Sequence, residues 1–125
     1  MTEDELLRAV LDLLRVYQFR TFHARPAWTA HGMRTAVQGD GKGFPDILAV
    51  GRGRILAIEL KSELGQPTLD QRAWLATFRE NGAEAYLWRP GDLPGIPGIL
   101  SGRFAPRAPA ELPHIARPML TLRKP

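Results

Sequence analysis

Three charged residues sit inside one of the most apolar stretches of this chain. Residues 43–63, GFPDILAVGRGRILAIELKSE, read as a β-hairpin but carry Asp46, Glu59 and Lys61. If the turn is the two-residue loop Arg52-Gly53, Val50 faces Ile55 and Asp46 faces Glu59. Directly opposed strand residues point to the same face, with Cβ atoms about 4.5–5.5 Å apart. Two carboxylates so placed repel each other unless a cation lies between them, and a divalent ion with oxygen ligands is the natural solution. Lys61 follows Glu59 by two positions, so both project from one face about 6.6 Å apart along the strand. A three-residue loop would instead set Asp46 across from Ile58 and turn it to the opposite face. Pro45 cannot donate to a ladder, so the strand should begin near it and leave Asp46 at the sheet's edge.

The chemistry that suits such a set is metal-assisted hydrolysis. A cation held by Asp46 and Glu59 can polarise a phosphoryl oxygen and lower the pKa of a bound water. The Lys61 ammonium can orient that nucleophile and offset charge developing on phosphorus. Oxygen ligands favour Mg2+ or Mn2+ over zinc.

Elements must hold these residues in place. Thr2-Glu3-Asp4-Glu5 is a capping-box pattern, followed by Leu6, Val10, Leu13, Leu14 and Tyr17 at helical spacing, which predicts a helix over residues 3–17. Residues 20–24 are a short β-prone run. Residues 25–43 show no period and are expected to be a long functional loop. Residues 47–50 and 55–60 are the hairpin strands. Thr68-Leu69-Asp70-Gln71 is a second capping box, opening a helix that Asn81-Gly82 ends. Residues 84–88 alternate as a last strand. The order α-β-β-β-α-β predicts a mixed α/β domain over residues 1–90, a small central mixed sheet flanked by helices. Seven of the eleven prolines lie from Pro94 onward, so residues 91–125 read as a tail that wraps over the domain or is partly disordered.

Composition bounds the rest. The 125 residues fit one domain, 44% hydrophobic and 24% charged, enough for a core. Without cysteine, a disulfide framework, a thiolate zinc site and a cysteine nucleophile are excluded. The acidic start and the lack of a membrane-length apolar run suggest a cytoplasmic, soluble protein. The formal charge is +4, and residues 20–54 hold all of that excess, with six cations against two anions. A basic stretch next to Asp46 suits a phosphate backbone. Its candidate contacts are Lys42, flanked by glycines, with Arg25, Arg34 and His23 behind it. Arg34, Arg52 and Arg54 also read as ordinary surface charge, and Trp74, Leu75 and Phe78 as helix core. The segment GDGKG fails as a phosphate loop of the NTPase type, since Ala36 replaces its first glycine and Gly43 its Ser/Thr. His23, His31 and His114 lack metal-ligand spacing.

GFPDILAV, AIELK and TLDQRAWLATFRENGAEAYLWRPGD together resemble the VRR-NUC family of the PD-(D/E)XK nuclease superfamily, from the first helix to about Asp92. Pro45-Asp46 matches the PD and Glu59-Leu60-Lys61 the ExK. The loop QGDGKGFPD is similar to phage and prophage members. The resemblance implies a restriction-endonuclease-like core and Mg2+- or Mn2+-dependent cleavage of DNA. It also implies metal ligation by Asp46, Glu59 and the Leu60 carbonyl, with Lys61 catalytic. Glu5 matches a first-helix Glu that many members add to the site, and Gln71 a helix Gln that approaches the scissile phosphate. Leu7 stands where members commonly have Gln. Related stand-alone nucleases resemble archaeal Holliday junction resolvases, which implies a homodimer acting on branched DNA. Two other readings stay open: a nucleic-acid-binding module on a silent nuclease scaffold, and a protein-interaction domain using its Pro-rich tail.

Overall fold

The computed structural model describes residues 1–24 and 39–102, and the backbone of strand residues 27–29 and 32–34. The chain runs α1 (Glu3–Val16), β1 (Arg20–Phe22), β2 (Ala27–Thr29), β3 (Gly32–Arg34), β4 (Ile47–Gly51), β5 (Arg54–Leu60), α2 (Leu69–Glu80), β6 (Glu84–Trp88), a 3-10 turn (Pro90–Gly95) and α3 (Ile96–Ser101). The main sheet has the order β1-β4-β5-β6. β1, β4 and β5 pair antiparallel, and β6 joins β5 in parallel. Among the described residues, no helix is long and apolar enough to cross a membrane.

Both capping boxes form. Thr2 Oγ1 accepts the Glu5 amide and Thr68 Oγ1 the Gln71 amide, while the Glu5 and Gln71 side chains bond back to the Thr2 and Thr68 amides. The helical stripe Leu6, Val10 and Leu14 lies on Ile47, Ala49, Leu56, Ile58 and Leu60, all buried. Alternation sends Ala57 to the opposite face, where Ala85 and Leu75 of α2 bury it. α2 is the crossover between parallel β5 and β6 and so runs back along them. Its first turn therefore lies at the end of β5 that carries Glu59.

The hairpin turn is the two-residue loop. Val50 pairs with Ile55 and Ile47 with Ile58, which excludes the three-residue alternative. Arg52 and Gly53 both have positive φ, +55° and +74°, as a type I′ turn requires.

Three expectations need correction. First, the stretch expected as an irregular loop contains a separate two-stranded ribbon, β2 with β3, in which Trp28 pairs with Met33. Three-residue strands are too short for alternation to register. Second, the stretch from residue 91, expected as a tail that wraps over the domain or is partly disordered, begins with the 3-10 turn and α3. Ile96 and Leu100 are fully buried in the cluster that holds α1, so the segment through Ser101 packs into the domain. Prolines masked its Ile96, Ile99, Leu100 helical spacing. Third, Arg54 is not surface charge but is 1% exposed. It shares a face with Leu56 and Ile58, and its Nε and Nη2 each lie 2.7 Å from a Glu84 carboxylate oxygen. Its Nη1 donates to the carbonyls of Leu100 and Gly102, tying α3 to the sheet.

Candidate active site at the end of the hairpin

Continuing the observed register by one residue sets Asp46 opposite Glu59. Asp46 lies just outside β4, where its side chain is free of the ladder but close to its end. Its Oδ2 accepts the Leu60 amide at 2.7 Å, which aims the carboxylate at β5. Glu59 is 2% exposed, and its Oε1 has no hydrogen-bond partner among the described residues. Lys61 Nζ lies 3.9 Å from Glu59 Oε2. That is too long for a hydrogen bond, and it leaves the ammonium close enough to screen the pair.

The electrostatics follow from this geometry. Burial pushes the Glu59 carboxyl up to about 9, and the neighbouring Asp46 charge adds to the rise. Lys61 opposes it, and a hydrogen bond with Asp46 and the more distant Glu3 charge raise it further. Two carboxylates in a desolvated corner do not both ionise without compensating positive charge. An acidic pair with an unpartnered oxygen is therefore suited to a hard cation. Asp46, Glu59 and the carbonyl of Leu60 are the groups that would hold it, although no cluster of three or more acidic or histidine side chains forms a metal site among the described residues.

A cavity of about 160 Å³ opens beside Asp46, lined by Glu3, Asp4, Leu7, His23, Asp46 and Leu60. His23 is held there from the end of β1, with Nδ1 2.8 Å from the Asp46 carbonyl. A carbonyl only accepts, so Nδ1 carries the proton and donates. No protein-family model matches the chain, and no curated protein is significantly similar to it.

The structure distributes the other sequence candidates unevenly. Glu5 is committed to its capping box, where the Thr2 amide holds its carboxyl below the usual range. Glu3 and Asp4 take the place expected of it at the cavity. Glu3 Oε2 also accepts the Ser62 amide at 3.3 Å, linking α1 to the residue after Lys61. The acidic first turn was the available signal: an N3 Glu closing a capping box folds away, and its N1 neighbour does not. The Gln71 side-chain oxygen is likewise engaged at Thr68. Lys42 lies 3.7 Å from Asp70. The close approach that its flanking glycines permit is internal, because a Cβ on Gly43 would lie 2.6 Å from the Asp70 backbone. The loop is pinned further by Trp74 Nε1 donating to the Asp40 carbonyl, and by Phe44 packing edge-on against Trp74. On α2 the Nε of Arg72, a residue the sequence reading did not single out, is buried without a partner among the described residues. Arg25, the Arg34 side chain, His31, His114 and the arginines beyond residue 102 lie outside the described residues.

Proposed function

We propose that this chain is a Mg2+- or Mn2+-dependent deoxyribonuclease. The observation that carries the reading is the opposed Asp46–Glu59 pair: one acid nearly fully buried, one of its oxygens unpartnered among the described residues, and an ammonium beside it. Charge arranged in this way costs stability unless a cation is taken up, and a cation next to an amine is the apparatus of phosphodiester hydrolysis. The sequence resemblance supports the same reading.

When bound, the ion supplies Lewis-acid polarisation of the phosphate and a more acidic water. The chain's own groups do the rest. Asp46, oriented by the Leu60 amide, and Glu59 would hold the cation. Lys61 presents a positive charge that orients the attacking water and stabilises the phosphorane-like charge as it develops. His23 holds the Asp46 backbone from the other side of the cavity. Arg72 and the basic stretch before Asp46 offer charge for flanking phosphates. A homodimer on branched DNA belongs to the same proposal through the resemblance, and sedimentation of the free protein tests it.

The direct test pairs binding with turnover. Mn2+ should bind the wild type by calorimetry and fail to bind Asp46→Ala. Plasmid nicking should be lost in Lys61→Ala with its thermal unfolding unchanged. Undiminished nicking by Lys61→Ala removes the proposal. Salt-dependent DNA binding without cleavage in either metal would favour the silent binding module instead.

A further inference from the structure

The segment that follows Lys61 is held far more firmly than a connecting loop needs to be. The Lys61 amide donates to the Trp88 carbonyl, and the Gly65 amide to Ser62 Oγ. Arg89, 9% exposed, places Nη1 at 2.7 Å from the Ser62 carbonyl, 3.0 Å from that of Glu63 and 2.6 Å from that of Gly65. Glu63 Oε2 accepts the Gly91 amide at 2.7 Å, bracing the loop from the same side. Together with the Glu3 contact to Ser62, these bonds fix the backbone on both sides of Leu64.

Leu64 itself is 88% exposed, the highest value among the exposed large hydrophobic residues described. A lone exposed leucine on a free loop needs no explanation. This one sits on a turn whose carbonyls converge on a buried guanidinium, so the loop cannot collapse to hide it. It is also only three residues beyond Lys61, so its Cα lies within about 11 Å of that of Lys61. A stiffly presented apolar side chain beside a phosphate-handling centre has the form of a wedge that enters between stacked bases.

We propose that Leu64 is such a wedge: it unstacks a base step next to the scissile phosphate and makes the enzyme selective for DNA already distorted there. This deepens the nuclease reading and rests on it. Unstacking a step of regular duplex costs a few kcal/mol, and a bulge or branch has already lost that stacking.

The test uses the full chain and two duplexes of one sequence, continuous and bulged, with 2-aminopurine beside the cleavage point. On binding the continuous duplex in Ca2+, the wild type should raise the probe's emission. Leu64→Ala should bind with a markedly smaller rise. In Mg2+ the bulged-to-continuous ratio of kcat/KM should fall about tenfold in Leu64→Ala and recover in Leu64→Met. An equal emission rise, or an unchanged ratio, overturns the wedge and leaves the nuclease reading standing. No DNA binding by the wild type to either duplex overturns both. Changed sedimentation of Leu64→Ala with both DNA readouts unchanged assigns the leucine to a protein contact and also overturns the wedge.

Discussion

Glu59→Gln isolates the electrostatic cost of the site. In the folded protein the Glu59 carboxyl is raised to about 9 from an ordinary value of 4.5, chiefly by burial and then by the Asp46 charge. Between those two values the native state binds a proton that the unfolded chain has released. The native-state preference for that proton is fully available below pH 4.5 and is lost as pH rises towards 9, so stability falls across this window. The full slope is about 1.4 kcal/mol per pH unit. From pH 6 to pH 8 the ceiling is about 3 kcal/mol. Relaxation and water penetration reduce the penalty for a buried charge in a real protein, so about 1–3 kcal/mol is the working figure. For a domain near 100 residues this lowers Tm by roughly 5–15 °C.

Glutamine has nearly the same shape and can donate to Asp46 as a protonated Glu59 would, without ever ionising. In metal-free buffer, Glu59→Gln should match the wild type near pH 5 and exceed it at pH 8 by the amount the wild type has lost. Thermal unfolding followed by circular dichroism at half-unit pH steps reads this directly. Saturating Mn2+ should flatten the wild-type profile, because the ion takes over from the proton, and should leave the Glu59→Gln profile in place. Parallel Tm–pH curves for the two metal-free proteins would refute the claim that Glu59 is a desolvated acid beside a second carboxylate.

Arg54→Ala leaves Glu84 buried without its partner and should cost about 3–5 kcal/mol in urea unfolding, whereas the double change Arg54→Met with Glu84→Leu should recover much of the loss. Gly43→Ala forces a side chain onto a residue with φ of +84° and into the Asp70 backbone. It should cost about 2–4 kcal/mol and reduce cleavage by shifting the Asp46 approach, read as a lower kcat on plasmid DNA.

Much of the framework is legible in the amino-acid sequence. The two-residue turn at Arg52-Gly53 is one of two registers the sequence allows, and the observed pairing of Val50 with Ile55 selects it. Both helix starts were legible because a capping box is a local signal with a local cause. What escaped the sequence reading depended on partners distant in the chain. Nothing near Arg54 announces that Glu84 lies 2.7 Å away on a neighbouring strand. Glu3 and Glu5 are equivalent as letters in an acidic first turn. Only the geometry of capping, which folds the Glu5 carboxylate onto Thr2, separates the residue that closes the helix from the one that faces the cavity.

β5 carries its own internal control. At one end Arg54 is buried and each of its guanidinium nitrogens has an acceptor: two bonds go to Glu84 and two to carbonyls of the α3 segment, while Tyr86 Oη donates to Glu84 at 2.6 Å. At the other end Glu59 is buried to a similar degree, yet one oxygen has no partner among the described residues and the Asp46 charge raises its pKa. One strand thus holds a buried charge with a partner at every nitrogen and, at Glu59, a buried acid with an oxygen that has none among the described residues. A purely architectural Glu59 would gain from replacement by glutamine or leucine. An acid at this position, opposite Asp46 and two residues before Lys61, is therefore what the proposed cation site rests on.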